Sequence, residues 1–241
     1  MTHPRFRLLQ AREADEPVRA EEHAAFADKL GLPLDHIIAH DLLTEPVSYR
    51  AVTEGVDAVL VGGSGRFGIN DDAAWLRPFV EVLGELAAHD FPTFASCFGF
   101  QGLVVALGEP VAYDPEGSEV GTFDVALCDG ADTDPVFGAL PRRFAAQMGH
   151  KDCARALPAS AVHLVASERC AYQALRLGSR VYATQFHPEL SCDDNKLRFQ
   201  RYYREYSEAF GEEGARSILD AFRPSPEATS VLRRFADRIV R

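Results

Sequence analysis

Residues 91–102 read FPTFASCFGFQG. Phe91 to Phe94 form a short apolar run of strand character, and Gly99 to Val105 read as the start of a helix. Between them stand two adjacent candidate nucleophiles, Ser96 and Cys97. A nucleophile elbow holds its reactive side chain on a strained strand-to-helix turn, and the residues two positions away must be small because a Cβ there collides with the backbone. Centred on Cys97 the flanks are Ala95 and Gly99; centred on Ser96 they are Phe94 and Phe98. Sterics select Cys97. A thiol at a helix N-terminus also meets free N–H groups and the positive end of the macrodipole, which favour the thiolate. An isolated cysteine is more often an inert buried side chain, so the assignment needs a base.

The base is found in RVYATQFHPEL, residues 180–190. A strand over Val181 to Phe186 delivers His187 at its end, and Glu189 follows the rigid Pro188. One loop thus offers an imidazole and a carboxylate to orient it, the two partners a cysteine nucleophile uses. Cys192 lies nearby but has no elbow around it and reads as incidental.

Working outward, strand-like and helix-like segments alternate. Phe6 to Gln10, His36 to His40, Asp57 to Val61 and Pro92 to Cys97 are strand candidates. Residues 19–30 form a helix that stops at Gly31. A second helix, capped by Asp71 or Asp72, runs to about residue 88 with Trp75, Phe79, Val82 and Leu86 on one face. This order predicts an α/β fold: three layers, doubly wound, around a mainly parallel central sheet. After residue 110 short strands follow one another (Gly121 to Leu127, Phe144 to Met148, Val162 to Ala166, Ala171 to Leu175, Val181 to Phe186), which predicts a small antiparallel extension. Beyond residue 190 the chain turns helical. Phe199, Tyr203, Tyr206 and Phe210 form one stripe, and Leu232, Phe235, Ala236 and Ile239 another, both expected to face the core. The expected organisation is a catalytic domain over 1–190 with a helical extension, 191–241, packed on it.

Composition narrows the function. The 241 residues carry a net charge of −11, with 46% hydrophobic and 25% charged side chains. A strongly acidic chain is a poor partner for nucleic acid, whose phosphates need clustered Lys and Arg. The last 47 residues hold ten basic and seven acidic side chains, read here as solvated helix faces. The N-terminal MTHPRFRLLQ lacks a long apolar core, so no secretory leader is expected, and no apolar run approaches the roughly 20 residues of a spanning helix. Five cysteines without a CxxC pair speak against a disulfide framework or a zinc site. The expectation is a cytoplasmic protein with no membrane partner. His150, Asp152 and Cys153 lie close in sequence, but neighbours on a strand alternate faces, which weakens a metal reading. GSGRFG (63–68) fits the G-x-G-x-x-G spacing of dinucleotide sites, yet the helix that should follow at once starts later.

CFGFQ (97–101) and QFHPE (185–189) together resemble the class I, or triad, glutamine amidotransferases, whose elbow reads C-x-G-x-Q and whose distal motif reads F-H-P-E. VLVGGSG (59–65) resembles the glycine turn of their oxyanion hole. QMGHKD (147–152) looks like the M-S-H-x-D segment of the GMP synthetase branch. The resemblance spans roughly residues 5–190, with the motifs in the expected order, and the tail resembles the extension of that branch's stand-alone members. It implies a Cys97–His187–Glu189 triad, oxyanion donors at the N–H groups of Gly63 and Phe98, and substrate contacts from Gln101 and from Gly149, His150, Lys151 and Asp152. The implied chemistry passes through a γ-glutamyl thioester and calls for no cofactor and no metal. Two departures from the family pattern, Ser96 and Phe100, are expected to alter the pocket wall. Three functions stay open: a glutaminase subunit feeding ammonia to a separate synthetase, a stand-alone hydrolase of γ-glutamyl compounds, and a catalytically silent binding module.

Overall fold

The computed structural model describes residues 3–240. Strand β1 (Phe6–Gln10) leads through helix α1 (Val18–Leu30) to β2 (Ile37–Asp41). Helix α2 (Tyr49–Thr53), β3 (Ala58–Val61), α3 (Leu76–Ala88), β4 (Thr93–Ser96) and α4 (Phe98–Ala106) complete the βα half. Strands β5 (Val111–Tyr113), β6 (Glu119–Leu127), β7 (Arg143–His150), β8 (Asp152–Ala154), β9 (Val162–Ser167), β10 (Ala174–Leu177) and β11 (Val181–Thr184) follow. The chain ends in α5 (Cys192–Arg201), α6 (Tyr203–Asp220), α7 (Pro226–Phe235) and a π-helical turn over Ala236–Val240.

Nine strands form one sheet in the order β2-β1-β3-β4-β11-β10-β9-β6-β7, and β5 pairs with β8 in a separate ribbon. The first five strands are parallel and the remaining pairings antiparallel. Both faces of the parallel part are covered, so its strands read as unbroken apolar runs that still alternate by face. Leu8, Leu60, Phe94 and Tyr182 belong to a core with Phe26, Leu30, Leu232 and Phe235. Leu9, Val61, Ala95 and Ala183 belong to the opposite core with Phe79, Leu83, Leu103 and Val104. The three-layer architecture is the one expected.

Several boundaries differ from expectation. Helix α3 begins at Leu76 rather than at Asp71 or Asp72, because Asp71 caps the glycine loop instead: its carboxylate accepts the Gly68 N–H at 2.7 Å. β2 starts one residue late, since His36 closes a short 3₁₀ turn. β10 is displaced from 171–175 to 174–177, because Cys170 sits in a turn whose N–H donates to Ser167 Oγ at 2.9 Å. β11 stops at Thr184, where the hydroxyl turns to the Phe186 carbonyl at 2.8 Å.

The tail splits into two packing units. Leu232, Phe235 and Ala236 are buried as expected, with Phe235 edge-on to Phe94 and Tyr182. Phe199 and Tyr206 instead build a separate cluster over Val120, their rings stacked 4.4 Å apart, while Phe210 stays exposed. Buried Asn195 fastens α5 to the sheet, donating to Gln147 Oε1 at 3.2 Å and to the Met148 carbonyl at 3.3 Å. These contacts predict one cooperative unfolding transition for residues 1–190 and the tail together. Phe235→Ala should lower stability by about 3–5 kcal/mol in urea titration; two separated transitions would mean that the tail folds apart.

Candidate active site

Strand register decides what meets at the sheet's C-terminal edge. Leu9 pairs with Val61, Val61 with Ala95, and Ala95 with Ala183, so these four stand level on adjacent parallel strands. Two residues past that line come Gly63, Cys97 and Gln185, and three past it on β1 comes Arg12; the loop after Gln185 carries His187 and Glu189. Ligands of open parallel sheets bind at this edge.

Cys97 takes φ +50° and ψ −98°, outside the regions a side-chain-bearing residue prefers, and this strain turns the strand into the helix. Its N–H donates to the Thr184 carbonyl at 2.7 Å, and its carbonyl accepts from Gln101 N–H at 3.1 Å. Gly99 shows why the flanks are small: a Cβ there would lie 2.8 Å from Val61 Cβ and 2.9 Å from Ala95 Cβ.

His187 Nδ1 lies 2.7 Å from Glu189 Oε1, and both side chains are buried. The carboxylate can only accept, so Nδ1 carries the proton and Nε2 is left for Cys97. Burial on its own would lower the His187 pKa. Charge at Cys97 and at Glu189, with hydrogen bonds to both, reverses that and pushes it up to about 10. Burial likewise raises the Glu189 carboxyl, and the His187 charge and hydrogen bond overcome it, leaving a lowered value. His187 and Glu189 thus act on one another's charge, and His187 responds to Cys97 as well.

The oxyanion corner holds a departure from expectation. Phe98 opens α4, so its N–H has no partner within the helix. The Gly63 N–H is not free: it donates to Glu22 Oε1 at 3.2 Å. That carboxylate is fully buried and paired with buried Arg12 at 3.0 Å, while Gln10 donates to its other oxygen at 3.0 Å. Burial alone would depress the Arg12 pKa, but Glu22 and Glu16 outweigh it and raise it. Arg12 and Glu22 carry no motif; only the fold brings α1 and the end of β1 under the glycine loop. That loop does not open into a helix, as a dinucleotide fingerprint would require.

Cys97, His187, Gly63 and Phe98 border a cavity of about 640 Å³, together with Gln101 and residues 149–152. Gln101 Nε2 donates to the Asp152 carbonyl at 3.1 Å and to Gln185 Oε1 at 3.3 Å. Gln185 Nε2 in turn reaches Cys97 Sγ at 3.6 Å, a contact that sequence reasoning missed although Gln185 stands within QFHPE. Of the expected substrate contacts, Lys151 is exposed, Asp152 half-buried with its carboxyl raised by burial, and Gly149 backs onto His187. His150 turns away to Glu119 Oε2 at 3.2 Å. The strand alternation expected to part His150 from Cys153 is broken at Lys151, between β7 and β8, so Cys153 Sγ lies 3.8 Å from His150 Nδ1. Ser96 and Phe100 do not shape the pocket wall: Ser96 Oγ donates to the Val61 carbonyl at 3.4 Å, and Phe100 is buried in the core beneath α4. Arg198, Phe199, Tyr202 and Tyr206 do line the cavity, so the tail is part of the site.

The profile of the glutamine amidotransferase class-I family matches residues 37–202, more than half of the chain. A glutamine amidotransferase candidate of Saccharomyces cerevisiae is 28% identical over 68% of this chain and 70% of its own length. A glutamine-hydrolysing GMP synthase subunit of Methanopyrus kandleri is 30% identical over 68% of this chain and 79% of its own. Among solved structures, a Thermotoga maritima glutamine amidotransferase superposes with a TM-score of 0.75 over 100% of this chain and 99% of its own, at 20% identity. The chain belongs to the class I glutamine amidotransferases.

Because charge at Cys97 heads the influences that raise the His187 pKa, Cys97→Ala should move that pKa well below 10. Glu189→Gln should move it down as well, by removing the second negative partner. Titration of the imidazole resonances by NMR checks both; an unchanged value in Cys97→Ala would mean that the ring does not sense the thiol.

Proposed function

We propose that the chain hydrolyses the side-chain amide of glutamine, or of a related γ-glutamyl compound, through a Cys97–His187–Glu189 triad. The observation that carries the reading is the 2.7 Å bond from His187 Nδ1 to Glu189, behind a cysteine strained onto a strand-to-helix turn. His187 Nε2 takes the thiol proton as Cys97 sulfur attacks the γ-carbonyl carbon. The tetrahedral oxyanion takes the Phe98 N–H, one donor of the kind worth about 10²–10³ in rate. The Gly63 N–H can join only once it has parted from Glu22. His187 gives its Nε2 proton to the nitrogen as the C–N bond breaks, and ammonia or an amine departs. Water then attacks the thioester, His187 takes its proton, and glutamate leaves with the thiol restored. Gln101 with Gly149, Lys151 and Asp152 holds the glutamyl moiety, and His150 bonds Glu119 instead. Arg12, Glu22 and Gln185 touch the loop, one another or the thiol and act as positioning residues.

Relatives named as separate subunits of a glutamine-hydrolysing GMP synthase favour a role in which the ammonia serves a synthetase on another chain. A second reading, a stand-alone γ-glutamyl hydrolase, draws support from the tail side chains in the cavity. A silent binding module would have no need of an elbow, a buried base and an orienting carboxylate together.

Purified protein given glutamine should release ammonia and glutamate in equal amounts, and Cys97→Ala should abolish both while keeping the fold. Glu189→Gln should cut kcat by about 10²–10⁴-fold. Ammonia release surviving in Cys97→Ala would remove this cysteine from the reaction.

A further inference from the structure

Arg198, Tyr202 and Tyr206 line the cavity that holds Cys97. They recur at every fourth position across the junction of α5 and α6, which puts them on one side of that segment. The Tyr202 hydroxyl is engaged, donating to Glu16 Oε1 at 3.1 Å. The Arg198 guanidinium and the Tyr206 hydroxyl have no hydrogen-bond or ion-pair partner among the described residues. Neighbouring arginines behave otherwise: Arg201 binds Glu21 through two 2.8 Å contacts, and Arg204 binds Glu208. Arg198 is also half-buried, and a guanidinium partly withdrawn from water calls for an anion. Tyr206 is held for the task, its ring stacked on buried Phe199 with 3° between the planes.

The position of these groups says which part of a substrate they meet. Helix α5 begins at Cys192, directly after the loop that carries His187 and Glu189. The Arg198 charge acts on Glu189, and Tyr206 lies within reach of the charges of both Arg198 and Cys97. His187 protonates the departing nitrogen, so the departing half leaves on its side, past Arg198. Free glutamine has only ammonia there, which offers nothing to a guanidinium and leaves much of a 640 Å³ cavity empty.

Resting on the Cys97 hydrolase reading, we propose that Arg198 and Tyr206 form a subsite for the amine half of the substrate and bind a carboxylate there. The substrates are then γ-glutamyl amino acids or short γ-glutamyl peptides. In the reaction the γ-amide C–N bond breaks as the Cys97 thioester forms. The released amino acid takes its proton from His187, with its carboxylate on Arg198, and water completes the hydrolysis.

Two probes separate this from a site built for ammonia: γ-glutamylglycine, which carries the carboxylate, and γ-glutamylethylamide, which is nearly the same size and lacks it. Calorimetry on Cys97→Ala should find γ-glutamylglycine bound about 10- to 100-fold more tightly, the range of a charge-assisted contact. Arg198→Ala in the same background should bring the ratio close to one, Arg198→Lys should keep part of it, and Tyr206→Phe should reduce it a few-fold. Equal binding of the two probes, or a ratio indifferent to Arg198, overturns the subsite. Turnover by the unsubstituted protein separates the two levels. Glutamine hydrolysed without any carboxylate preference keeps the triad and removes the subsite, whereas a carboxylate preference in binding with no turnover keeps the subsite and removes the hydrolase.

Discussion

The site is organised around the backbone at Cys97, held at φ +50° by bonds on either side. Such a conformation costs of order 1–3 kcal/mol and persists only where its surroundings over-determine it. Here they do. The Cys97 N–H is committed to Thr184 on β11, its carbonyl to Gln101 on α4, and Gly99 and Ala95 leave the backbone no room to relax. The bond to Thr184 also ties Cys97 to the strand that leads to His187. Strain at one residue and the spacing of thiol to imidazole are therefore one constraint, because both are set by the register of β4 against β11.

The same logic extends to the tail. Gln147 accepts the His187 N–H through its backbone carbonyl, while its side chain bonds Asn195, Arg223 and Ser225. One β7 residue thus links the His187 loop to α5 and to the turn before α7. On the opposite side Arg201 and Tyr202 bind Glu21 and Glu16, the first on α1 and the second just before it, and α1 also supplies Glu22 to the glycine loop. Helices that read from sequence as cover for the core prove to be a wall of the cavity.

What can be read from sequence is local in origin. The elbow sterics at Cys97, the His-Pro-Glu loop and the alternation of strands with amphipathic helices each sit within a dozen residues, and the fold holds each of them. What escapes depends on pairing across the chain. The Arg12–Glu22–Gly63 cluster joins three separate elements, and nothing at position 22 marks a buried carboxylate. Ser96 and Phe100 read as pocket residues because they depart from the family's motif, but a helix that starts at Phe98 turns Phe100 into the core. Asp71 reads as a helix cap and closes a glycine loop instead, because capping chemistry serves any chain reversal. The tail's part in the cavity leaves one trace in the sequence, aromatics at helical spacing, which a core face produces equally well.

The central claim is that Cys97 carries the acyl group. Rapid mixing of the protein with glutamine or γ-glutamylglycine, acid quench and peptide mass spectrometry test it directly. A γ-glutamyl adduct should appear on the peptide holding Cys97 before the steady state, vanish as substrate is consumed, and accumulate where deacylation is slowed. Steady release of glutamate with no adduct on Cys97, or with the adduct on Cys192 or another cysteine, would contradict the account.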